Sequence, residues 1–405
     1  MLTDILRGLV GVVALLAICF AFSGKRAVIN WRLVGGGVIL QILLAFLILM
    51  TPFQAVVDFV SRLFVTVIGY TNEGSRFVFG ELVDPAKYGF AFGVLPTIIF
   101  FSSFITILYH YGILQRLVGL FARLMVRFMG TSGAESLSAS ANIFVGQTEA
   151  PLLIRPYVAT LTRSEMMAVM TGGFATVAGG VMAAYVGMGI EAKHLLAASV
   201  MSAPAALVMA KLMVPETEHS HTAGKVDIEV ERPWANVIDA AASGAADGFK
   251  LALNVGAMLI AFVALIAMID WPLGWIGRQA GVPELSLNVI LGFACRPLAW
   301  VMGVPWAETT QVGTLIGIKT AVNEFVGYIE MGKMIDAGLL SERSQVIATY
   351  ALCGFSNFSS IAIQIGGIGG MAPERKSDLA RLGLRAMVAG SLACFQTATI
   401  AGLLL

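Results

Sequence analysis

Residues 142–151 (Asn-Ile-Phe-Val-Gly-Gln-Thr-Glu-Ala-Pro) place polar side chains between apolar runs that are long enough to lie in a membrane. An ionisable residue at membrane depth costs roughly 2.5–3.5 kcal/mol on insertion scales, so it usually has a functional reason. Pro151 lacks an N–H and disfavours helical backbone at Ala150, so a helix should break here. Irregular backbone at this depth is tolerated only where it is buried in protein or lines a cavity. The segment therefore indicates a binding site inside a polytopic membrane protein.

Three consecutive residues, Gln147, Thr148 and Glu149, form the polar centre of this segment. If the segment is the tip of a hairpin of two half-helices, the second half begins here with unpaired backbone N–H groups. Gln147 offers both donors and an acceptor, and the Thr148 hydroxyl offers both in one group. This mixed set suits a neutral ligand whose edge alternates donors and acceptors, such as a nucleobase.

A second polar group lies in the other half of the chain, at Asn323, Glu324, Asn357 and Ser360. Asn357 and Ser360 are three residues apart, so a continuous helix would place them on one face. Carboxylate, amide and hydroxyl groups together suit the vicinal hydroxyls of a sugar. Phe355 or Phe358 can cover an apolar face of such a ligand, or either ring can simply pack in the core.

A monovalent cation is a further candidate ligand, because Asn142 and Thr176 supply side-chain oxygens near the first hairpin. Glycines flank residues 176–177, so we expect this stretch to be unwound, and unwound carbonyls commonly coordinate Na⁺ in membrane transporters. The simpler interpretation is that Asn142 caps a half-helix and Thr176 bonds back to its own helix. The residues alone leave both interpretations open. The flanking glycines are Gly172, Gly173, Gly179 and Gly180.

The elements that position these residues are apolar helices. Only 13% of the 405 residues are charged and 58% are hydrophobic, whereas soluble domains carry about 25% charged residues. Spanning a membrane takes about 20 apolar residues. On that basis we predict an all-α polytopic membrane protein with eight transmembrane helices near 4–22, 33–52, 91–113, 165–187, 192–213, 249–270, 345–368 and 383–404. Interfacial amphipathic helices are predicted within 54–90 and 114–134.

The two halves of the chain echo each other. Each has a segment with one tip Glu, predicted to be a re-entrant hairpin (about 135–162 and 304–334), followed by a span that carries a Gly-Phe pair. The order, the Glu placement and the predicted topology together indicate inverted repeats, which secondary transporters build around a site at the membrane midplane. The alternative is chance recurrence of Gly-Phe in a chain with 44 Gly and 24 Phe.

Cationic loops predict the orientation of the chain in the membrane. If both hairpin segments leave on the side they enter, three basic clusters fall on one side, which should be cytoplasmic. Both termini would then be periplasmic. The clusters are Lys25, Arg26 and Arg32; Arg116, Arg123 and Arg127; and Arg375, Lys376, Arg381 and Arg385.

Other function classes lack their signatures. The chain shows no nucleophile–base pair and no HExxH motif, so an enzyme is not expected. Residues 313–320 resemble a phosphate loop only faintly, because Ile318 separates Gly317 from Lys319. A channel would need a continuous polar pore, whereas the polar residues cluster at two tips. No Arg lies at either tip, which disfavours anionic substrates, and we expect no nucleic-acid partner.

Three segments resemble signature motifs of the concentrative nucleoside transporters. They are residues 142–151, Asn323-Glu324-Phe325-Val326 and residues 353–360 (Cys-Gly-Phe-Ser-Asn-Phe-Ser-Ser). The resemblance covers residues 1–405, in the eight-span bacterial form. It implies a homotrimer in which a scaffold domain holds the subunits together. A transport domain with two re-entrant hairpins would move across the membrane in the elevator manner.

The resemblance also implies a role for each site residue. The base would bind Gln147, Thr148 and Glu149; the ribose would bind Glu324, Asn357 and Ser360; and Val181, Leu251 and Phe355 would line the pocket. Na⁺ would be held by the Asn142 side chain, the Val145 carbonyl and the unwound Thr176 and Val177. Thr176 stands where the family pattern has Ser, and both residues supply a hydroxyl.

The function expected from the resemblance is Na⁺-coupled import of nucleosides, pyrimidines such as uridine in particular, across the bacterial inner membrane. The alternative is proton coupling, with Glu149 or Glu324 as the titrating group. Nucleosides, membrane lipids and two further copies of the chain are the expected partners. The expected parts are scaffold 1–113, transport part 114–214, cytoplasmic polar linker 215–248, scaffold helix 249–271 and transport part 272–405.

Overall fold

The computed structural model describes residues 2–83, 90–224 and 234–404. Every regular element in these ranges is a helix, and one isolated bridge joins Ser132 to Ala223. The prediction of an all-α fold is therefore confirmed. Residues 84–89 of the predicted interfacial region and residues 225–233 of the predicted linker lie outside the described residues.

The first part of the chain forms two long apolar helices, two consecutive amphipathic helices and a further apolar helix. They are α1 (Leu2–Ala21), α2 (Trp31–Met50), α3 (Gln54–Gly69), α4 (Thr71–Phe79) and α5 (Leu95–His110). The Asn30 side chain caps the start of α2 by accepting a hydrogen bond from the Leu33 N–H at 3.2 Å. The sequence predicted one interfacial helix after α2, whereas the structure has two that meet at Tyr70.

The next part contains the first hairpin and an interrupted helix. Its helices are α6 (Ile113–Met129), α7 (Gly133–Ala141), α8 (Arg163–Ala175), α9 (Gly179–Gly187) and α10 (Ala192–Met213). The predicted span 165–187 is present, but it is divided into α8 and α9 by residues 176–178, which are not helical. The flanking glycines led us to expect unwinding at this place.

The last part begins with a long helix and then repeats the order of the preceding part. Its helices are α11 (Val237–Gln279), α12 (Leu287–Val301), α13 (Thr309–Ala321), α14 (Glu324–Asp336), α15 (Glu342–Leu352), α16 (Phe358–Met371) and α17 (Lys376–Leu404). A hairpin (α13–α14) precedes an interrupted helix (α15–α16) and then a long helix (α17). This order supports the internal repeat seen in the sequence.

The boundary between the predicted linker and the following span is wrong. The span was predicted to begin at residue 249, but α11 begins at Val237, where the Asn236 side chain accepts hydrogen bonds from two backbone N–H groups at 3.0 Å. Small residues of modest hydropathy hid this part of the helix. They serve close packing against α5, because a Cβ on Gly244 would lie 2.8 Å from the Ser103 Cα and one on Gly248 would lie 2.8 Å from the Ile99 Cα.

The helices α1 and α2 pack into the core together with α10 and α17. In α1 the Cys19 thiol donates to the Met209 carbonyl at 3.3 Å. In α2 the buried Gln41 donates to the Thr397 hydroxyl at 2.9 Å and accepts from the Gln396 amide at 2.6 Å. These buried contacts join α1 and α2 to two helices of the predicted transport part. The assignment of α1 and α2 to the scaffold stays a prediction.

Helix α11 is the main element at the surface. Its principal neighbour is α5, and most of its apolar side chains are exposed, among them Ile260 and Trp271. By contrast, α8, α9, α10 and α17 are largely buried. Within the described residues, six helical segments are long and apolar enough to cross a membrane, and shorter apolar segments are Leu6–Ala21 of α1 together with α12 and α16. All eight predicted spans fall on helical segments.

Candidate functional site

The tip of the first hairpin is an irregular turn between α7 and a 3₁₀ segment, Ala150–Ile154. A capping box fixes the base of α7, since the Glu135 side chain accepts from the Ser132 N–H at 2.8 Å. Pro151 lies at the start of the 3₁₀ segment, where its missing N–H costs nothing. The predicted helix break is therefore present.

Gln147 is the buried member of the tip, whereas Thr148 is half-buried and Glu149 is exposed. The Gln147 amide nitrogen donates to the Ser360 hydroxyl at 3.3 Å. The Thr148 methyl group lies over Gly367 of α16, where a Cβ would come within 2.6 Å of it. The first hairpin tip therefore contacts α16 from Ser360 to Gly367, and this helix carries Ser360 of the second predicted group.

Glu324 is the first residue of α14 and is buried. One of its carboxylate oxygens accepts from the Tyr185 hydroxyl at 2.8 Å and the other accepts from the Asn357 amide at 3.0 Å. The preceding Asn323 caps α14 by accepting from the Val326 N–H at 2.9 Å. The carboxylate therefore sits at a capped helix N-terminus between two fixed donors.

Asn357 and Ser360 are held together by capping, which differs from the prediction. The predicted span 345–368 is interrupted at 353–357, so the two residues do not lie on one face of a continuous helix. Asn357 is the N-cap of α16, and its side-chain oxygen accepts from the Ser360 N–H at 3.0 Å. With its oxygen committed to the cap, the Asn357 amide can only present N–H groups to Glu324. The helix end thus orients the amide.

A continuous chain of contacts therefore joins the two predicted groups. It runs from Glu324 through Asn357 to Ser360, and from the Ser360 hydroxyl to Gln147. Four elements meet here: the first hairpin tip, α14, α16 and, through Tyr185, α9. Val181 is buried one helical turn before Tyr185, on the same face of α9. Phe355 and Leu251 are half-buried, and their pocket-lining roles stay predictions.

Two residues of this site were missed by sequence reasoning, Tyr185 and Gln364. Gln364 is fully buried on α16, and its amide nitrogen donates to Gln147 at 3.0 Å. Its signal was available: Gln364 lies four residues after Ser360, so both face one side of the same apolar helix. Tyr185 gave no comparable signal, because a tyrosine in an apolar helix usually packs in the core.

The breaks in the two interrupted helices cross and bond to each other. The Phe355 N–H donates to the Thr176 carbonyl at 3.2 Å, and the Ser356 hydroxyl donates to the Phe174 carbonyl at 2.7 Å. A Cβ on Gly354 would lie 2.7 Å from the Phe174 carbonyl oxygen, so only glycine allows this approach. Each break thus satisfies part of the backbone that the other exposes.

The predicted cation residues lie at the end of α7 and at the break after α8. Asn142 is fully buried; its amide donates to the Ser138 carbonyl at 3.0 Å, while its side-chain oxygen has no hydrogen-bond partner in the described part of the chain. The Thr176 hydroxyl donates to the Gly172 carbonyl at 3.0 Å, so its oxygen lone pairs remain free. A Cβ on Gly172 would lie 3.2 Å from the Asn142 amide, so the end of α8 and Asn142 are close.

Both hydrogen bonds of the simpler interpretation are therefore present, but they leave the Asn142 side-chain oxygen without a partner in the described residues. A buried oxygen without a partner costs about 1–3 kcal/mol. Its partner must be a donor or a cation. The Thr176 hydroxyl bonds to Gly172, and a Cβ on Gly172 would lie 3.2 Å from the Asn142 amide. Oxygen donors without a carboxylate suit a hard monovalent ion, so the chemistry of Asn142 and Thr176 fits Na⁺.

Lys319 brings a buried positive charge near the Glu324 carboxylate. It is fully buried at the end of α13, and its ammonium donates to the Ala351 carbonyl at 2.7 Å, in the last turn of α15. The exposed carbonyls of a helix C-terminus favour such a cation. Lys319 also interacts electrostatically with Glu324. The phosphate-loop interpretation of residues 313–320, already disfavoured by spacing, gains nothing from this geometry.

Three family models together match nearly the whole chain. They are described as the N-terminus of Na⁺ dependent nucleoside transporters (residues 10–82), a nucleoside recognition Gate (residues 91–192) and the C-terminus of Na⁺ dependent nucleoside transporters (residues 194–402). The last of these alone covers more than half of the chain.

Relatives and solved structures agree with these models. An uncharacterized transporter of Haemophilus influenzae is 50% identical over 412 residues, covering 99% of this chain and 98% of that protein. Sodium/nucleoside cotransporter 1 of mouse is 42% identical over 413 residues, covering 97% of this chain and 63% of that protein. The structure of CNTnw in an inward-facing substrate-bound state is 46% identical, with a TM-score of 0.93 over 99% of this chain and 98% of that one. An outward-facing state of a CNTnw variant matches with a TM-score of 0.95 over 100% and 99%.

Proposed function

Since this chain belongs to the concentrative, Na⁺-dependent nucleoside transporter family, we propose that it imports nucleosides together with Na⁺ across the bacterial cytoplasmic membrane. The family resemblance found in the sequence is confirmed, and so is the expectation of a transporter rather than an enzyme. The observation that carries the proposal is the chain of contacts from Gln147 through Ser360 and Asn357 to Glu324. It unites a base-edge set and a ribose set in one site.

The nucleoside binds with its base at the first hairpin tip and its ribose at α14 and α16. Gln147, Thr148 and Glu149 face the base edge, which we propose to be that of a pyrimidine such as uridine. Glu324 accepts from the ribose hydroxyls while Asn357 and Ser360 complete the polar ring. Val181, Leu251 and Phe355 line the apolar remainder. No Arg lies at either hairpin tip, so the proposed ligand is the free nucleoside and not a nucleotide.

Sodium binds between the end of α7 and the break after α8. The Asn142 side-chain oxygen is the anchor, because it is buried and has no hydrogen-bond partner in the described residues. The Thr176 hydroxyl and the carbonyls of Val145 and Val177 complete the ligand set. The Thr176 carbonyl already accepts from Phe355, and its second lone pair remains available.

Proton coupling through Glu324 or Glu149 is the alternative. Both Glu324 carboxylate oxygens accept hydrogen bonds, from Tyr185 and from Asn357, and these bonds favour the ionised acid. The burial of Glu324 favours the neutral acid instead. Glu149, at the first hairpin tip, is the second carboxylate through which a proton-coupled cycle would run.

Transport follows the elevator scheme in a homotrimer. The two hairpins and the helices packed with them move as one body, and we place α1 and α2 in this body because of their buried bonds to α10 and α17. Helices α3, α4, α5 and α11 form the scaffold, and the exposed apolar face of α11 meets lipid or the neighbouring subunits. The inward- and outward-facing structures of CNTnw both superpose well on this chain.

Uptake of radiolabelled uridine into proteoliposomes tests the function. Purified protein is given an inward Na⁺ gradient, and in a parallel sample a proton gradient without Na⁺. We expect accumulation only with Na⁺. Accumulation only with protons would move the coupling to a carboxylate, and accumulation with neither gradient would contradict nucleoside symport.

A further inference from the structure

Gln364 is a buried amide in direct contact with the base-binding tip. It is fully buried on α16, one turn after Ser360. Its amide nitrogen donates two hydrogen bonds, one to the Met170 backbone carbonyl at 3.1 Å and one to the Gln147 side-chain oxygen at 3.0 Å. An amide nitrogen carries two N–H groups, so both are used.

The Met170 carbonyl fixes which way the Gln364 amide faces. A backbone carbonyl can only accept, so the Gln364 nitrogen, and not its oxygen, must lie against it. With its nitrogen on that side, Gln364 presents a donor to Gln147. Gln147 must therefore turn its oxygen toward Gln364 and its nitrogen toward the ligand site. The orientation of Gln147 follows from a backbone group that cannot reverse.

The packing around the two amides holds this arrangement in place. A Cβ on Gly173 would lie 2.8 Å from both the Gln147 Cβ and the Gln364 amide nitrogen. The two side chains therefore lie directly against the α8 backbone. Ser360 takes at most one of the two Gln147 N–H groups, at 3.3 Å. The second N–H is left for a ligand, whereas the Gln147 oxygen is turned toward Gln364 and accepts a hydrogen bond there.

We propose that Gln364 is a positioning residue for base specificity, which makes Gln147 a hydrogen-bond donor to the nucleobase. The base must then offer an acceptor to Gln147, an exocyclic oxygen or an unprotonated ring nitrogen, and an exocyclic amino group at that point is rejected. From the sequence alone, Gln147 could donate to the base or accept from it. The contact with Gln364 leaves it as a donor toward the ligand. This inference rests on the proposed function, because it needs a nucleoside in the site.

Competition binding with base-modified nucleosides tests the proposal on purified wild-type protein. Radiolabelled uridine is displaced by pyrimidine ribonucleosides in which one base oxygen is deleted or replaced by an amino group, and in parallel by 3′-deoxyuridine. We expect at least one base change to weaken binding roughly tenfold, the worth of one neutral hydrogen bond. If wild-type protein tolerates every such change, the inference is overturned without any variant.

Substitution of Gln364 then tests whether this residue causes the base preference. In Gln364→Leu the preference for the base acceptor should fall toward unity, because Gln147 is no longer held, while discrimination against 3′-deoxyuridine stays. In Gln364→Glu the carboxylate has no N–H for either the Met170 carbonyl or the Gln147 oxygen, so Gln147 again loses its fixed orientation. The preference for the base acceptor should fall as in Gln364→Leu. A merely structural role would weaken all analogues alike.

Gln396→Leu is the matched control. Gln396 is likewise a fully buried glutamine that donates to another glutamine, Gln41, but it joins α17 to α2. The base preference of the Gln396→Leu variant should equal that of the wild-type protein. An unchanged base preference in both Gln364 variants would overturn this inference and leave the proposed function standing. Wild-type protein that binds no nucleoside would overturn both.

Discussion

The backbone N–H of Phe355 donates a hydrogen bond to the carbonyl oxygen of Thr176 at 3.2 Å. This bond joins the break between α15 and α16 to the break between α8 and α9. The first break leads directly to Asn357, which caps α16 in the proposed ribose site. The second carries the proposed Na⁺ ligands. The two proposed sites are therefore connected through backbone that neither helix could hold alone.

This connection predicts that Na⁺ and nucleoside bind cooperatively. Ordering of one break by its ligand stabilises the partner break, so the uridine affinity should rise with Na⁺ concentration. Linkage requires uridine to raise the Na⁺ affinity by the same factor, and couplings of about 1–3 kcal/mol are typical. Isothermal titration of each ligand with and without the other measures both factors. Independent binding would separate the two sites and contradict this coupling.

Replacing Asn142 tests the cation site. Asn142→Ala removes the buried oxygen that lacks a hydrogen-bond partner in the described residues, so the Na⁺ concentration for half-maximal uptake should rise. Loss of a supporting contact near a metal commonly costs about 10–100-fold, and loss of a direct ligand should cost no less. Asn288→Ala is the control, because the Asn288 side-chain oxygen on α12 is also buried and lacks a partner in the described residues. An equal Na⁺ response in the two variants would remove Asn142 from the site.

Replacing Glu324 tests ribose recognition. In Glu324→Gln the amide retains one acceptor and places N–H groups where Asn357 already donates, so uridine affinity should fall by roughly tenfold or more. Discrimination between uridine and 3′-deoxyuridine should also shrink. Competition binding gives both quantities. Glu330→Gln lies on the same helix, where Glu330 forms an ion pair with Lys333 at 2.9 Å, and it should bind like wild type. Full discrimination in Glu324→Gln would assign the ribose to other residues.

The helical organisation was largely predictable from sequence, because runs of about 20 apolar residues identify spans without tertiary information. The beginning of α11 was not, since its small residues at 237–248 carry little hydropathy and acquire their role only by packing on α5. The buried bonds that join α1 and α2 to α10 and α17 could not be predicted either, because hydropathy does not say which helix Gln41 or Cys19 will contact.

The candidate site, like the fold, could be predicted from the sequence only in part. The polar residues in apolar segments, such as Gln147 and Glu324, could be picked out by their cost in a membrane. The capping of α16 by Asn357 was hidden, because the break at 353–357 lies in a run that reads as one apolar span. The direction of the Gln147 amide depends on Met170 and Gln364, which are distant in sequence, so only the fold supplies it.

Gly173 gives a steric test of the base site. A Cβ in Gly173→Ala would lie 2.8 Å from the Gln147 Cβ and from the Gln364 nitrogen, closer than real contacts allow. Overpacking costs about 1–3 kcal/mol, and here it should appear as weaker uridine binding with little loss of Na⁺ binding. Gly366→Ala on α16 is the control, since a Cβ there meets nothing within 4 Å. Equal uridine binding in both variants would show that Gln147 can shift freely.

The acidic residues after α10 have a structural explanation at the base of the first hairpin. The buried Lys211 ammonium lies 2.6 Å from the Glu135 carboxylate and 3.4 Å from Glu216. Glu216 also accepts from the Thr162 hydroxyl at 2.8 Å, and the Thr222 carbonyl accepts from the Gly133 N–H at 2.8 Å. The segment after α10 therefore ties α7 to the start of α8.

Removing the cation from this cluster should destabilise the fold. Lys211→Met leaves the buried Glu135 carboxylate without its ion pair, and breaking a buried pair typically costs about 3–5 kcal/mol. We expect a lower thermal unfolding midpoint in detergent. Lys193→Met removes an exposed pair with Glu191 and should cost no more than about 1 kcal/mol. Adding Glu135→Gln to Lys211→Met should restore part of the midpoint, because the remaining charge is then removed as well. If the double variant were no more stable than Lys211→Met, an unpaired Glu135 would not be the cause of the loss.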